Sequence, residues 1–278
     1  MKLLITGGEG QIAFDLKRCA LVPFVAPNHL ELDITNADAV QNYLEKFQPD
    51  VVINTAAYTA VDLAEKESEK SFLVNRDGAK NVAIACQKIK CPLIHLSTDY
   101  VFDGKKELPY HEEDEAQPLS VYGQSKLAGE LAVQEACDRY IILRVSAVFG
   151  EQGNNFVKTI LRLASEREEL RIVNDQWTCP TPSRAIAETI LKLCDAIKKN
   201  PSWGVYHYSG MPGMNWFEFA KKIISHAGNR SSLKVKTILP VTAKEFNAPA
   251  LRPKNSMLDC TKLRIRFGIT QPEWEEFL

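Results

Sequence analysis

Short apolar runs at Lys2–Thr6, Val51–Asn54, Leu93–Ser97 and Tyr140–Val145 alternate with longer stretches of helical periodicity. That rhythm commits the first half of the chain to repeated βαβ units around a parallel sheet. Between the runs, Ala37–Phe47 repeats Ala37, Val40, Tyr43, Leu44 and Phe47 at helical spacing, and Val74–Gln87 does so through Val74, Ala79, Val82, Ala83 and Cys86. Both are expected to cover sheet faces. Right-handed crossovers put the ligand crevice at the carboxyl ends of parallel strands. Chemistry is therefore expected in the segments that follow the strands: Gly7–Ala13, Thr55–Asp62, Thr98–Asp103 and Ser146–Gly150.

After Gly150 the rhythm changes. A helical stretch near Phe156–Glu166, the segment Arg171–Pro182 with Trp177, and a helix at Ala185–Ile197 lead to a short strand at Val205–Tyr208. Trp216–Ala227, Leu233–Leu239 and Thr261–Phe267 then form an α+β tail without internal repeats. The expected organisation is a dinucleotide-binding unit over 1–148, completed by about 183–207, and a discontinuous lobe from about 149–182 and 208–278 over the crevice mouth.

Composition excludes several functions. Lys plus Arg number 34 against 35 Asp plus Glu, and no basic cluster is interleaved with aromatics, so nucleic acid is not an expected partner. No stretch approaches the ~20 consecutive apolar residues of a membrane helix, and the N-terminal apolar run stops too early for a signal-peptide core. The seven cysteines are dispersed, odd in number and free of C-x-x-C pairs, which points to reduced thiols in the cytoplasm. Asn229-Arg230-Ser231 spells a glycosylation acceptor that a cytoplasmic chain does not use. His29, His95, His111, His207 and His226 show no ligand spacing, so no metal site is expected. Trp216, Phe217 and Phe219 near Met214 read as packing.

Directly after the first strand comes Thr6-Gly7-Gly8-Glu9-Gly10-Gln11-Ile12-Ala13, leading into a helix. Glycine permits a tight turn and close approach to a pyrophosphate, Ala13 permits close helix packing, and a helix N-terminus offers free N–H groups to an anion. The position favours dinucleotide binding over an ordinary strand-to-helix turn, and the absence of G-K-[ST] argues against a P-loop. Further on, Asp33 in Leu32-Asp33-Ile34-Thr35 is placed at a strand end. It fits either an acceptor for an adenine amino group or a neighbour of the helix cap at Thr35 or Asn36.

Tyr122-Gly123-Gln124-Ser125-Lys126 sets a phenol and an ammonium one helical turn apart. A free phenol titrates near ~10, and an ammonium within ~4–6 Å brings it toward a working range for proton transfer. A helix-surface Tyr and Lys fit the same spacing. About two dozen residues earlier, Leu96-Ser97-Thr98-Asp99-Tyr100-Val101-Phe102-Asp103-Gly104 ends a buried strand in polar groups. There Thr98 fits either an oxyanion-stabilising hydroxyl or a strand-end cap. The glycine turn, hydroxyl segment and Tyr/Lys pair in this order make coincidence improbable.

With these residues in view, the chain resembles the extended short-chain dehydrogenase/reductases and, within them, the dTDP-4-dehydrorhamnose reductase family. The likeness also takes in Asn54–Asp62, Val74-Asn75, Asp175-Gln176-Trp177, Pro180-Thr181 and Arg252-Pro253. It implies an α/β fold: a Rossmann-type doubly wound parallel sheet with a smaller α+β substrate-binding lobe. It further implies that Gly7, Gly10, Gln11 and Ile12 line the cofactor phosphates, Asp33 and Ile34 the adenine, and Ala56, Ala57, Tyr58, Thr59 and Leu96 the rest of the dinucleotide. Thr98, Tyr122 and Lys126 form the implied catalytic set, with Tyr122 and Lys126 also touching the cofactor. Thr98, Asp99, Ala147, Trp177 and Arg252 face a nucleotide-sugar substrate, Arg252 through its forked donors on the diphosphate.

Two departures follow. Ala147 stands where many relatives carry a tryptophan beside the deoxysugar, and Arg184 stands where some carry an acidic residue of a metal-bridged dimer, although Asp15 persists at another such position. A monomer, or a homodimer without a metal bridge, is the expectation. The implied reaction is reduction of the C4 ketone of dTDP-4-dehydro-β-L-rhamnose by NADPH or NADH. Ala26-Pro27-Asn28-His29 carries neither a clear ribose-binding acid nor a phosphate-binding Arg, leaving NADPH only slightly preferred. Another nucleotide-sugar reductase or epimerase shares these residues, and the regulatory beta subunit of methionine adenosyltransferase resembles the same family without catalysing its reaction.

Overall fold

The computed structural model describes residues 1–228 and 233–278, so Asn229-Arg230-Ser231 lies outside the described residues. Five strands in the first half are β1 (Leu3–Thr6), β2 (Phe24–Val25), β3 (Val51–Asn54), β4 (Leu93–Thr98) and β5 (Tyr140–Val145). With Gly204–Tyr208 they form a six-stranded sheet ordered Gly204–Tyr208, β5, β4, β3, β1, β2, every neighbour parallel. β1, β3 and β4 are buried along their whole length, which is why they read as near-continuous apolar runs. Strand order reverses between β1 and β3, and a doubly wound sheet opens its ligand crevice beyond the strand ends at such a point.

Alternation along the strands sorts residues to two faces. Leu3, Ile5, Ile53, Ile94, Leu96 and Leu143 pack with Ala13 and Leu16 of the helix Gln11–Cys19, and with Ile186, Ile190 and Leu193 of the helix Ser183–Lys199. Leu4, Val52, Leu93 and Ile142 pack with Val40 and Leu44 of the helix Ala37–Phe47, Val82 and Cys86 of Ala79–Lys88, and Val133 of Val121–Ala136. On this second face the last positions turn polar: Thr6, Asn54, His95, Ser97, Arg144 and His207 are all buried. The sheet is dry at one end and chemically furnished at the other.

Periodicity located most helices, but Val74–Gln87 is not one α-helix. Ser68–Phe72 is α-helical, Leu73–Gly78 forms a π-turn, and α-helix resumes at Ala79–Lys88. The wide turn leaves the apolar spacing readable as helical while changing where Asn75 sits. The expected strand at Leu233–Leu239 is also displaced, to Thr237–Val241, where it pairs in parallel with Glu169–Val173. The N–H groups of Lys234 and Val235 both donate to the Ala164 carbonyl, at 2.9 and 3.0 Å, so the chain there is tied to the helix Phe156–Glu166 before the ladder starts. Leu32–Thr35 is likewise not a strand end but an irregular segment leading to Asn36, whose side chain caps the following helix.

A smaller core gathers Phe149, Ile160, Leu170, Ile172, Phe219, Ile223 and Trp274, with Trp216 and Phe217 against it. Among the described residues no helix is long and apolar enough to cross a membrane. Trp274 is fully buried, stands edge-on to Phe219 at 5.0 Å and donates its indole N–H to the Pro212 carbonyl at 2.9 Å. Truncating it to alanine is expected to cost about 3–5 kcal/mol of unfolding free energy, read by urea denaturation. A loss below about 1 kcal/mol would show that the small core closes without it.

Candidate active site

The glycine turn sits at the β1/β3 reversal. Gly7 adopts φ +70°, and a Cβ there would stand 2.7 Å from the Ala56 Cα, so the turn is pressed against the segment leaving β3. Gly8 donates its N–H to Pro27 O at 2.9 Å, tying the turn to the chain after β2. Gly10 is the N-cap of Gln11–Cys19 and has no side chain to satisfy the first amide groups of that helix. An uncapped helix start behind a glycine turn suits a pyrophosphate. Gly7, Gly10, Gln11, Ile12 and Ala56 are thus brought together, and Gln11 Oε1 accepts from the Asn155 side chain at 2.8 Å. Ala57, Tyr58 and Thr59 continue the same loop. Ile34 is buried against Gly78, whereas Asp33 is exposed and accepts from the N–H and hydroxyl of Thr35, both at 2.9 Å. Asp33 thus closes a short turn next to Asn36, the residue that caps the helix.

Ser120 caps the helix Val121–Ala136 through the Gly123 N–H, and this start puts Tyr122 and Lys126 one turn apart. Burial raises the Tyr122 phenol well above its ordinary value; the Thr98 hydroxyl draws it back, and Asp99 and Tyr100 push it up further. The expected depression of the phenol by Lys126 is not seen. Lys126 is 2% exposed and donates Nζ to the Leu96 carbonyl at 2.6 Å, so its charge is spent on the end of β4. Burial lowers its pKa to about 8, against which Glu130 pulls upward.

Glu130 lies one turn beyond Lys126 and has no exposure. It accepts from Arg144 at 2.9, 3.2 and 2.7 Å and from the Ser97 hydroxyl. Arg144 also lies 3.4 Å from His207 and 5.1 Å from the Phe102 ring centroid. Two residues past Leu96, Thr98 caps the 3-10 turn Asp99–Val101 through the Tyr100 N–H at 3.2 Å and donates to Asp99 Oδ1 at 3.1 Å. Asp99 is buried and accepts from Ser146 Oγ at 2.7 Å; burial raises its pKa to about 6, with the hydroxyls of Ser256, Ser146 and Thr98 opposing.

The remaining substrate candidates divide. Ala147 follows Ser146 at the end of β5 and is held at φ +40°, a left-handed conformation unusual for alanine. Trp177 is 42% exposed, with its backbone N–H on Lys254 O and its carbonyl accepting from Ser256 N. Arg252 departs from expectation. Its two terminal nitrogens donate to Asp62 Oδ1 and Oδ2 at 3.0 and 2.9 Å, and Tyr100 is also against it. The fork assigned to a diphosphate is closed on a carboxylate of the same chain, and Arg252 holds that carboxyl below its ordinary value.

Comparison with known proteins matches the whole chain, residues 1–278, to the family model described as RmlD substrate binding domain. The dTDP-4-dehydrorhamnose reductase of Sinorhizobium fredii is 42% identical over 99% of this chain and 95% of its own length. The chain belongs to the dTDP-4-dehydrorhamnose reductase family. The family member from Aggregatibacter actinomycetemcomitans is 40% identical over 100% of this chain and 97% of its own. Among solved structures, the dTDP-4-dehydrorhamnose reductase of Bacillus anthracis str. Ames, in complex with NADP, superposes with a TM-score of 0.93 at 40% identity, covering 99% of this chain and 96% of that one.

Sequence reasoning on this family member left three residues without a role. Glu130 had a readable signal, an acid four positions after Lys126 on one helix face. Asp62 and Asn75 fell within segments the sequence singles out, Thr55–Asp62 and Val74-Asn75, but their partners lie far along the chain. Replacing Arg144 with Leu removes the charged partner of a fully buried carboxylate and is expected to cost about 3–5 kcal/mol in urea unfolding. A loss under about 1 kcal/mol would mean that Ser97 and Lys126 suffice for Glu130.

Proposed function

We propose that the protein reduces the C4 ketone of dTDP-4-dehydro-β-L-rhamnose to give dTDP-β-L-rhamnose, using NADPH, with NADH as the alternative donor. The observation that carries this reading is the meeting of Thr98, Tyr122 and Lys126 around the end of β4, in a chain whose family members are similar over their full length. The uncapped helix behind Gly7–Gly10 and the loop Ala56–Thr59 fit a dinucleotide, and the solved relative from Bacillus anthracis holds NADP. Bound there, the cofactor supplies the hydride for the carbonyl carbon.

This chain's residues handle the proton. Tyr122 stays protonated through the neutral range because burial raises its pKa, so it is the donor to the carbonyl oxygen. Thr98, on swinging its single hydroxyl hydrogen away from Asp99, donates to the same oxygen and then to the phenolate that Tyr122 becomes. Lys126, fixed on Leu96, keeps positive charge at the strand end and offers a donor to a ribose hydroxyl. The sugar lies toward Asp99, Ala147 and Trp177, and Arg252 turns from Asp62 to the diphosphate. In the same reading 1–148 with about 183–207 forms the dinucleotide unit, and 149–182 with 208–278 the substrate lobe. Seven unpaired thiols support a reducing, cytoplasmic setting, and Arg184, paired with Glu188 at 3.1 Å, supports a monomer or a dimer without a metal bridge.

The reaction is followed by loss of nicotinamide absorbance with dTDP- and UDP-ketosugars. Replacing Tyr122 with Phe is expected to lower kcat by about 10²–10⁴-fold while preserving cofactor binding; unchanged turnover would remove Tyr122 from the mechanism. Lys126 holds its proton below about 8 and yields it above. kcat/KM for reduction is accordingly expected to decline as pH rises through that value, and a flat profile to pH ~10, the ordinary lysine range, would overturn the role of its charge.

A further inference from the structure

An arginine fork asks the same of a carboxylate and of a pyrophosphate: two acceptor oxygens lying in its plane. Arg252 has them from Asp62, at 3.0 and 2.9 Å. Asp62 lies in the short helix Val61–Ala64 that follows the loop leaving β3, so the pair joins that loop to the C-terminal segment. Arg252 also lies against Tyr100, whose ring stands edge-on to Tyr122 with centroids 6.1 Å apart. One aromatic ring therefore separates the closed fork from the proton donor.

Two features let the pair open without disturbing the fold. The backbone just past Arg252 is fixed: a Cβ at Gly104 would stand 2.4 Å from the Lys254 nitrogen and 2.7 Å from the Pro253 Cα, and the Lys254 carbonyl accepts the Trp177 N–H at 2.8 Å. Exchange of partners is thus a swing of side chains. The Asp62 side chain is also 46% exposed, so it returns to water when the fork leaves, and its Oδ1 keeps the Ala250 N–H at 3.2 Å. Arg252, at 22%, is shielded enough that losing its anion without gaining another is unfavourable. A ligand that brings two negative groups side by side can replace Asp62 there; a neutral sugar cannot.

We propose that Asp62 is a specificity-determining residue: it stands in for the substrate's diphosphate on Arg252 and yields the fork only to a nucleoside diphosphate. The proposal rests on the reductase reading above, in which Arg252 meets that group. Affinity is then set by exchange of one anion for another, and the same carboxylate recloses on Arg252 as product leaves.

The test is calorimetric titration of the full chain, saturated with oxidised NADP, with dTDP. It compares the wild type, Asp62→Asn, Arg252→Gln and the double substitution, with circular dichroism giving the folded fraction. Asp62→Asn removes the competing charge, keeps an Oδ1 for the Ala250 N–H, and leaves Arg252 on the Ala250 carbonyl at 3.2 Å. It is expected to tighten dTDP about fivefold, a gain that a merely structural ion pair does not give. Arg252→Gln is expected to weaken dTDP about tenfold, and adding Asp62→Asn to it to change affinity less than about twofold, because the fork is already gone. The proposal is overturned by a folded Asp62→Asn that binds dTDP as the wild type does or more weakly. It is equally overturned by the same gain with and without Arg252, which marks a general effect of charge. A crystal structure of the wild type with dTDP in which both Arg252 nitrogens remain on Asp62 overturns it whether or not the variants fold. A wild-type protein that holds NADP yet binds no dTDP sinks the nucleotide-sugar reading instead, whereas the other outcomes leave that reading standing and remove the exchange alone.

Discussion

Glu130 is shut away from water, and the arrangement around it follows from how its charge is met. Arg144 supplies a forked, three-contact partner from β5, and Ser97 supplies a hydroxyl from β4. Removing two full charges from water is expensive, so such a pair holds only where geometry and extra hydrogen bonds complete it. Completion here fixes Ser97, and Ser97 sits between the carbonyl that holds Lys126 and the hydroxyl beside Tyr122. An electrostatic demand on one face of the sheet thereby sets the geometry of the strand end at its rim.

Much of the fold was legible because local and tertiary signals coincide. In Ala37–Phe47 and Phe156–Glu166 the apolar stripe begins just after an asparagine, and both asparagines, Asn36 and Asn155, cap their helices through side-chain oxygens. The strands β3 and β5 were legible for the opposite reason, since burial on both faces removes polar residues until the rim. The π-turn escaped notice because a wide turn alters hydrogen-bond offset without altering which residues are apolar. The strand at Thr237–Val241 was misplaced because Leu233 and Val235 are apolar for a different reason, packing on the small core.

In the site, residue types were readable and partners were not. The order of glycine turn, hydroxyl segment and Tyr/Lys pair named the groups, and the structure gathers most of them at the carboxyl ends of the central strands. Which atom holds which was hidden wherever the partner is a backbone carbonyl, as Leu96 is for Lys126, or is remote in sequence, as Asp62 is for Arg252. A lysine spaced for a phenol was satisfied elsewhere, and an arginine suited to a diphosphate was satisfied by a carboxylate.

The outermost strand beside β5 has a consequence for how the chain must be made. Gly204–Tyr208 completes the sheet only after the helices Phe156–Glu166 and Ser183–Lys199 have been synthesised. Until then a nascent chain emerging from the ribosome carries β5 with one edge unpaired, an invitation to pairing between chains. The polypeptide therefore commits to its sheet late, and a ribosome stalled before residue 204 leaves a product with an open flank.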